Sequence, residues 1–243
     1  MNQLNISRLG LFIRRQAVLN VSSLWVSLGA ISGVLIIITL LVAVFSPYNL
    51  ESLKGLYMTV LYISGLIFTS KVFAELHKPQ KAYALLTLPV SNLEKTLGAW
   101  IISSPVFIII YLVFIFLIIS ISSMIVGSAS ALVNFFDQDT WRPIAVYMVI
   151  QPIFLLGAST FRGNNFLKTV FSIFLFNVVV SVFAGLLVYI LFEGGSLHQG
   201  SVSPDFISFA TDTVVPVISF MFWYLLAPFM LLVSYFKLKE RQV

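Results

Sequence analysis

Long apolar blocks alternate with short polar stretches along the whole of this chain. A helix needs about 20 residues to cross a bilayer core of about 30 Å, and each block is close to this length or longer. Lipid offers no hydrogen bonds to a backbone, so we predict that every block is a helix. The pattern predicts six membrane-spanning helices, at about residues 24–46, 56–73, 97–126, 144–161, 167–192 and 214–236.

The polar stretches predict three further segments. Residues 5–20 place apolar side chains on one helical face with Arg8 and Arg15 opposite, as in a helix that lies in the membrane interface. A simple extension of the first span is the alternative. Residues 79–95 form a loop on one side of the membrane. Residues 193–213 form the longest loop on the other side, and the sequence leaves open whether part of it re-enters the membrane.

The composition supports a membrane protein. Hydrophobic residues make up 59% of the chain and charged residues only 9%, whereas soluble domains carry about 25% charged residues. So few charges cannot cover the surface of a soluble globule. We therefore predict an all-α integral membrane protein with a single transmembrane domain, residues 1–243.

The distribution of basic residues predicts the orientation. If the N-terminus is cytoplasmic, 12 of the 14 Lys and Arg residues lie on the cytoplasmic side, and only Lys54 and Arg142 lie outside. Cytoplasmic loops of membrane proteins carry such an excess. We predict six spans with both termini cytoplasmic. The same rule explains the net charge of +5, so we predict no nucleic-acid partner.

Several kinds of chemical site are missing from the sequence. There is no cysteine, and no phosphate-binding G-x-x-x-x-G-K-[ST] motif occurs. The two histidines, His77 and His198, lie in loops predicted on opposite sides. No Asp or Glu lies within a predicted span, although ion-coupled transporters usually carry ionisable residues there. We predict no catalytic residue, metal or cofactor on this chain, so a partner would supply the energy for any transport.

Mildly polar residues recur on one face of two predicted spans. Tyr62 and Thr69 share a face of the second span, and Asn177 and Ser181 share a face of the fifth. These side chains either line a substrate path or allow close helix packing, which small and weakly polar residues support in membranes. Both interpretations stay open.

The loop at 79–95 has a specific local pattern. Pro79 suits the first turn of a short helix, and Pro89 ends that helix. Ser91 and Glu94 have the spacing of a capping box, which predicts that a second helix begins there and continues into the third span. The pattern therefore predicts a helix, a bend and a capped helix, which would transmit a force from the loop into the membrane.

This stretch, LLTLPVSNLEKTLGAW, resembles the first cytoplasmic loop of permease subunits of ABC-2-type ABC transporters. Those loops commonly contain an L-L-x-x-P-[VA]-S stretch, followed by a glutamate and a helix into the third span. The six-span layout, the N-terminal interfacial helix and the basic ending YFKLKERQV are also similar. The chain departs from the family pattern at HKPQKAYA, where many members carry an acidic-basic run and Gly-Thr.

The resemblance implies that residues 79–95 are a coupling helix that docks on a separate cytoplasmic P-loop ATPase subunit. The docking residues would be Leu85, Leu86, Leu88 and Pro89. Ser91 and Glu94 would be structural caps. A helix that rests on lipid headgroups is the alternative for this loop.

At the level of function, the resemblance implies a permease subunit in a bacterial cytoplasmic membrane. It would form a substrate path with a second copy or a paralogous permease. ATP and Mg²⁺ would bind to the partner ATPase and none to this chain. The alternative function is a non-transporting scaffold or assembly protein that recruits a cytoplasmic partner through the same loop.

Overall fold

The computed structural model describes residues 5–45, 53–78, 82–83, 87–126, 138–191 and 204–240, and over these residues the chain is helical and contains no strand. The prediction of an all-α fold is confirmed. The described residues form nine α-helices: α1 (Ile6–Phe45), α2 (Lys54–Lys71), α3 (Asn92–Ile101), α4 (Phe107–Val126), α5 (Gln138–Thr160), α6 (Asn165–Leu191), α7 (Pro204–Phe209), α8 (Val215–Phe220) and α9 (Leu226–Glu240).

Short helical segments of other geometry connect some of these helices. A 3₁₀ helix, Ala74–His77, follows α2. A π-helical turn joins α3 to α4, a second joins α7 to α8, and a third joins α8 to α9. They span Ile102–Val106, Ala210–Val214 and Met221–Leu225. The helical path is therefore continuous from Asn92 to Val126 and from Pro204 to Glu240.

Four helical stretches of the described chain are long and apolar enough to cross a membrane: Asn92–Ser122, Thr140–Thr160, Asn165–Ile190 and Ile207–Glu240. They coincide with the third to sixth predicted spans. The apolar stretch in α1, Gly33–Val42, is shorter. Helix α2 has 18 residues with a lysine at each end. In the described chain, four of the six predicted spans are therefore helices that are both long enough and apolar enough to cross a membrane.

The predicted interfacial helix and the predicted first span are one helix. Residues 5–20 and 24–46 were expected as separate elements, but α1 runs for 40 residues without interruption to Phe45. No proline lies between the two segments, so nothing in the sequence forces a break. At 1.5 Å per residue α1 is about 60 Å long, about twice the thickness of a bilayer core. The alternative interpretation, an extension of the first span, matches this continuity.

Helix begins earlier than expected before the sixth span. Residues 204–213 were predicted to belong to the loop 193–213, yet they are helical and lead directly into α8. Pro204 stands at the first position of α7, where proline costs no hydrogen bond. Residues 193–203 lie outside the described part of the chain.

The core forms where α2, α5 and α9 meet α1, α3 and α4. Helix α5 packs most extensively against α9 and α2, and α1 packs against α3 and α4. Tyr57 on α2 connects three helices: its hydroxyl lies 2.9 Å from Thr39 Oγ1 on α1, and its carbonyl accepts a 2.6 Å hydrogen bond from the Tyr111 hydroxyl on α4. Leu61 and Ile115 are completely buried beside this contact network.

Helix α6 and the following helical segment present apolar side chains outward. Every described side chain from residue 174 to residue 187 is exposed, and most side chains between 207 and 225 are exposed as well. Phenylalanine, leucine and valine predominate in α6. A surface of this size is expected to contact lipid or another protein subunit.

Candidate functional site

The bend that precedes α3 is built around Pro89. The N–H of Val90 donates a 2.7 Å hydrogen bond to the carbonyl of Leu88, which makes Pro89 the central residue of a three-residue turn. Just before the bend, the N–H of Thr87 donates to the carbonyl of Tyr83 at 3.0 Å. The chain therefore turns sharply at the position where the sequence predicts an elbow.

Ser91 and Glu94 begin α3 as a reciprocal capping pair. The N–H of Glu94 donates to Ser91 Oγ at 3.2 Å, and the N–H of Ser91 donates to Glu94 Oε2 at 2.7 Å. Both bonds satisfy backbone donors that have no partner within a helix start. The first turn of α3 is thus held by its own side chains.

Glu94 also binds the start of α1, which the sequence does not reveal. Its Oε1 accepts a 2.7 Å hydrogen bond from the N–H of Asn5 and lies 3.2 Å from Nη2 of Arg8. The Asn5 side chain in turn accepts from the N–H of Ser7 at 2.9 Å. The Glu94 side chain is 0% exposed. One buried carboxylate therefore joins the first turns of two helices.

The structure separates the predicted docking residues into different surroundings. Leu85 and Leu86 lie outside the described residues. Leu88 is half-buried and packs against the hydrophobic core, whereas Pro89 is exposed. Tyr83, which the sequence did not single out, is 74% exposed. The described outward face of the bend therefore consists of Tyr83, Thr87 and Pro89, and we call these three residues the elbow face.

Lys95 has different surroundings from those that the sequence suggests. It is one of the 12 basic residues predicted on the cytoplasmic side and lies at the end of the predicted loop 79–95, yet it is 2% exposed. It follows Glu94 in the first turn of α3, where the start of α1 packs against that helix. The loop therefore ends earlier than predicted: α3 begins at Asn92, and Glu94 and Lys95 in its first turn are both buried.

Tyr62 and Thr69 lie inside the bundle and contact α5. The Tyr62 hydroxyl donates a 2.6 Å hydrogen bond to the carbonyl of Pro143, and its ring meets the Tyr147 ring edge to face at 5.8 Å. Thr69 is completely buried and accepts a hydrogen bond from Gln151 Nε2 at 3.2 Å. Both side chains of this predicted pair have packing partners within the chain.

Asn177 and Ser181 lie on the exposed part of α6, away from that packing. Asn177 Nδ2 donates to the carbonyl of Ile173 in its own helix at 2.9 Å. Both residues fall in the stretch where every described side chain is exposed. The two predicted polar pairs are therefore in different surroundings, one buried within the bundle and one facing outward.

A buried polar cluster surrounds Gln151, a residue that the sequence analysis missed. Its Nε2 donates to Ser103 Oγ at 2.6 Å as well as to Thr69, and the Tyr147 hydroxyl donates to the Ser103 carbonyl at 2.9 Å. Ser103 lies in the π-helical turn between α3 and α4. The available signal was a glutamine inside an otherwise apolar span, because an amide in that position needs partners.

The close approach of α2 to α5 depends on Gly65. A Cβ at this position would overlap the hydroxyl end of the Tyr147 ring. The glycine thus lets two helices approach closely beside the Gln151 cluster, as small residues do in membrane proteins.

No group of three or more potential metal-binding side chains occurs among the described residues. The candidate site has two parts in the described chain. One is the bend that exposes the elbow face, and the other is the polar cluster around Gln151 within the bundle.

These features define the class of protein at a coarse level: an all-helical protein that has helices of membrane-crossing length and hydropathy. Comparison of the chain with protein-family models, with curated proteins and with solved structures found no match.

Proposed function

We propose that this chain is the membrane-spanning permease subunit of an ATP-binding-cassette transporter, driven by a separate ATPase subunit. The observation that supports this most is the bent segment before α3. It presents the elbow face at one end. At the other end it leads directly into the candidate span Asn92–Ser122, whose first turn is capped by Ser91 and Glu94. A partner bound to the elbow face would act directly on a helix of membrane-crossing length.

The contacts of this segment favour rigid transmission of a force. Leu88 and Val90 pack against the hydrophobic core. Glu94 joins the start of α3 to the start of α1 through buried hydrogen bonds. Displacement of the elbow face would therefore move two long helices together. A helix that merely rests on lipid headgroups has no need of this connection.

The energy would come from ATP and Mg²⁺ bound to the partner. The chain has no phosphate-binding motif, and its predicted spans carry no Asp or Glu for ion coupling. The resemblance of residues 85–95 to the coupling loops of ABC-2-type permeases points to a cytoplasmic P-loop ATPase as that partner.

For the membrane arrangement, we propose six spans with both termini in the cytoplasm of a bacterial cell. The excess of Lys and Arg on one predicted side supports this orientation. In this arrangement α1 and α2 supply the first two spans, in addition to the four stretches that meet the length and hydropathy criteria.

We further propose that a second copy or a paralogous permease covers the exposed face of α6. Asn177 and Ser181 lie on that face. The Asn177 bond to Ile173 uses one of the two amide donors, and exposing the rest of the amide to lipid is unfavourable. The substrate path would then run between the two permeases past these residues. Tyr62 and Thr69, which are paired inside the bundle, would contribute to helix packing.

A site-specific photo-crosslinker tests the docking surface. Placed at Tyr83 on the elbow face, it should capture a P-loop ATPase in cells. Placed at Arg162, which is also exposed and lies on the same predicted side, it should not. Capture of the ATPase from both positions or from neither would contradict the proposed dock. Capture of a partner without ATPase activity at Tyr83 would support the scaffold alternative.

A further inference from the structure

A cleft of about 430 Å³ opens where α2 ends and α6 begins. Residues 161–164 connect two stretches of membrane-crossing length, Thr140–Thr160 and Asn165–Ile190. A connection this short lies at the membrane surface, because both helices end there. The cleft is therefore located at the level of lipid headgroups.

Two lysines line the cleft from the side of α2. Lys71 lies at the end of α2, and Lys78 directly follows the 3₁₀ helix. Both are exposed, and neither forms an ion pair within the described part of the chain. Among the described residues, none that lines the cleft is acidic. Glu75, the nearest acid in sequence, lies 3.4 Å from Arg15 instead.

His77 forms part of the wall and is held in place. Its Nε2 lies 2.8 Å from the carbonyl oxygen of Ala158 on α5. A carbonyl can only accept, so Nε2 carries the proton of this hydrogen bond. The contact attaches the 3₁₀ helix to α5 and so positions Lys78 beside the cleft.

The start of α6 provides the opposite side. Gly163 and Asn164 have positive φ values, 68° and 50°, which reverse the chain so that α6 begins directly at the cleft. Asn165, Phe166 and Leu167, the first residues of this 27-residue helix, line it. The first N–H groups of a helix have no acceptor within the helix and favour an anion.

Asn165 holds the start of α6 in place. The residue is 8% exposed, and its Nδ2 donates to the carbonyls of Ser70 and Ala158 at 3.3 and 3.4 Å. Ser70 lies near the end of α2 and Ala158 near the end of α5. These contacts fix the first turn of α6 beside the two lysines.

Apart from Ser70, the remaining walls are apolar and open outward. Ile67, Ala74, Phe166 and Leu167 line the cleft, and Leu167 is 64% exposed. A small soluble anion gains nothing from such walls, whereas the glycerol and the first carbons of an acyl chain would pack against them. Basic pockets between membrane helices bind anionic headgroups in this way.

We infer that this cleft binds the headgroup of an anionic phospholipid, for which phosphatidylglycerol serves as the probe. Lys71, Lys78 and the start of α6 would hold the phosphate, and the apolar walls would hold the first carbons of an acyl chain. The inference concerns a lipid site and does not depend on the proposed transport function.

Native mass spectrometry of protein purified from vesicles of equal phosphatidylglycerol and phosphatidylcholine content tests it. The unmodified chain should retain phosphatidylglycerol preferentially. The double variant Lys71→Gln/Lys78→Gln should retain about tenfold less, because each lysine near a lipid surface contributes measurably to anionic-lipid binding. Both lysines are exposed, so the fold should survive, as an unchanged melting temperature would show.

The double variant Lys237→Gln/Lys239→Gln is the matched control. It removes the same charge from the end of α9, outside the residues that line the cleft, and should keep the lipid. Equal loss in both double variants, or equal retention of the two lipids by the unmodified chain, would overturn the inference. Lysine-dependent binding of inorganic phosphate without retained lipid would identify a soluble anion instead and would also overturn it.

Discussion

Glu94 accepts hydrogen bonds from the first residues of two helices that are far apart in the sequence. The bond to Ser91 is predictable, because a serine and a glutamate three positions apart form a known helix start. The bond to Asn5 spans 89 positions and the Arg8 contact is similarly distant, so no local pattern predicts them. The sequence therefore reveals Glu94 as a cap but not as a connection between helices.

Replacement of Glu94 by glutamine should destabilise the protein much more than loss of an ordinary cap. The amide keeps one acceptor oxygen but turns an NH₂ group toward an N–H of Asn5 or Ser91, and Arg8 loses its buried counter-ion. Leaving a buried N–H group without its acceptor typically costs about 1–3 kcal/mol. Loss of the pair with the partly exposed Arg8 adds less than about 1 kcal/mol. The melting temperature in detergent, followed by tryptophan fluorescence, measures the effect.

Two variants serve as references for that measurement. Ser91→Ala removes one cap bond, worth about 1 kcal/mol. Glu75→Gln removes a partly exposed pair with Arg15, worth less than about 1 kcal/mol. Glu94→Gln should lower the melting temperature most and Glu75→Gln least. Equal effects of Glu94→Gln and Glu75→Gln would show that Glu94 does not hold the two helices together.

At the scale of helices, prolines explain where the long segments depart from α-helical geometry. Pro105 lies within one π-helical turn, and the other two π-helical turns closely precede Pro216 and Pro228. Proline cannot donate to the preceding turn, and an inserted residue relieves the clash. The sequence predicts bends at these prolines. It does not predict that Pro152 is accommodated within α5 without such a turn.

Gly65 allows α2 and α5 to approach each other, so Gly65→Ala should push them apart. The added methyl group would overlap the Tyr147 ring beside the Gln151 cluster. Overpacking of this kind typically costs about 2 kcal/mol. The melting temperature should fall. The backbone amides of α5 around Tyr147 should also exchange their hydrogens faster.

Gly185→Ala provides the comparison on α6. No atom lies within 4 Å of a Cβ at this position, so the change should leave the stability equal or slightly higher, since alanine favours helix. If the two alanine variants melted at the same temperature, the tight α2–α5 contact would be refuted. A lower melting temperature of the Gly185→Ala variant alone would instead indicate that another chain packs closely against the exposed face of α6.

For the whole molecule, the apolar pattern predicts the helical fold well and the packing poorly. Alternation of apolar and polar blocks locates the four helical stretches of membrane-crossing length, because lipid imposes helix on each. It does not show that α1 is continuous, because its polar first turns resemble an interfacial segment. It also does not show which polar residues meet, because Gln151 lies in α5, Thr69 in α2 and Ser103 in the π-helical turn between α3 and α4.

The membrane arrangement makes a direct prediction about cysteine accessibility. The chain has no native cysteine, so single introduced cysteines report cleanly. Cysteines at positions 52, 130 and 201 should react with an impermeant thiol reagent in intact cells. Cysteines at positions 80, 164 and 242 should react only after permeabilisation. Labelling of position 242 from outside would contradict an even number of spans.

The proposed role as an ATPase-driven permease is tested most directly by what co-purifies with the chain through the loop at 79–95. We measure how much partner is recovered in mild detergent and how fast it hydrolyses ATP. The chains compared are the unmodified chain, Leu86→Glu and the matched variant Leu11→Glu, whose exposed position lies on α1. A charge placed in a buried interface anchor typically costs at least about 2 kcal/mol of binding. We expect a P-loop ATPase with the unmodified chain and with Leu11→Glu, and at least about a tenfold loss with Leu86→Glu at equal membrane abundance. Full recovery of the ATPase with Leu86→Glu, or recovery of no ATPase with the unmodified chain, would contradict the proposal.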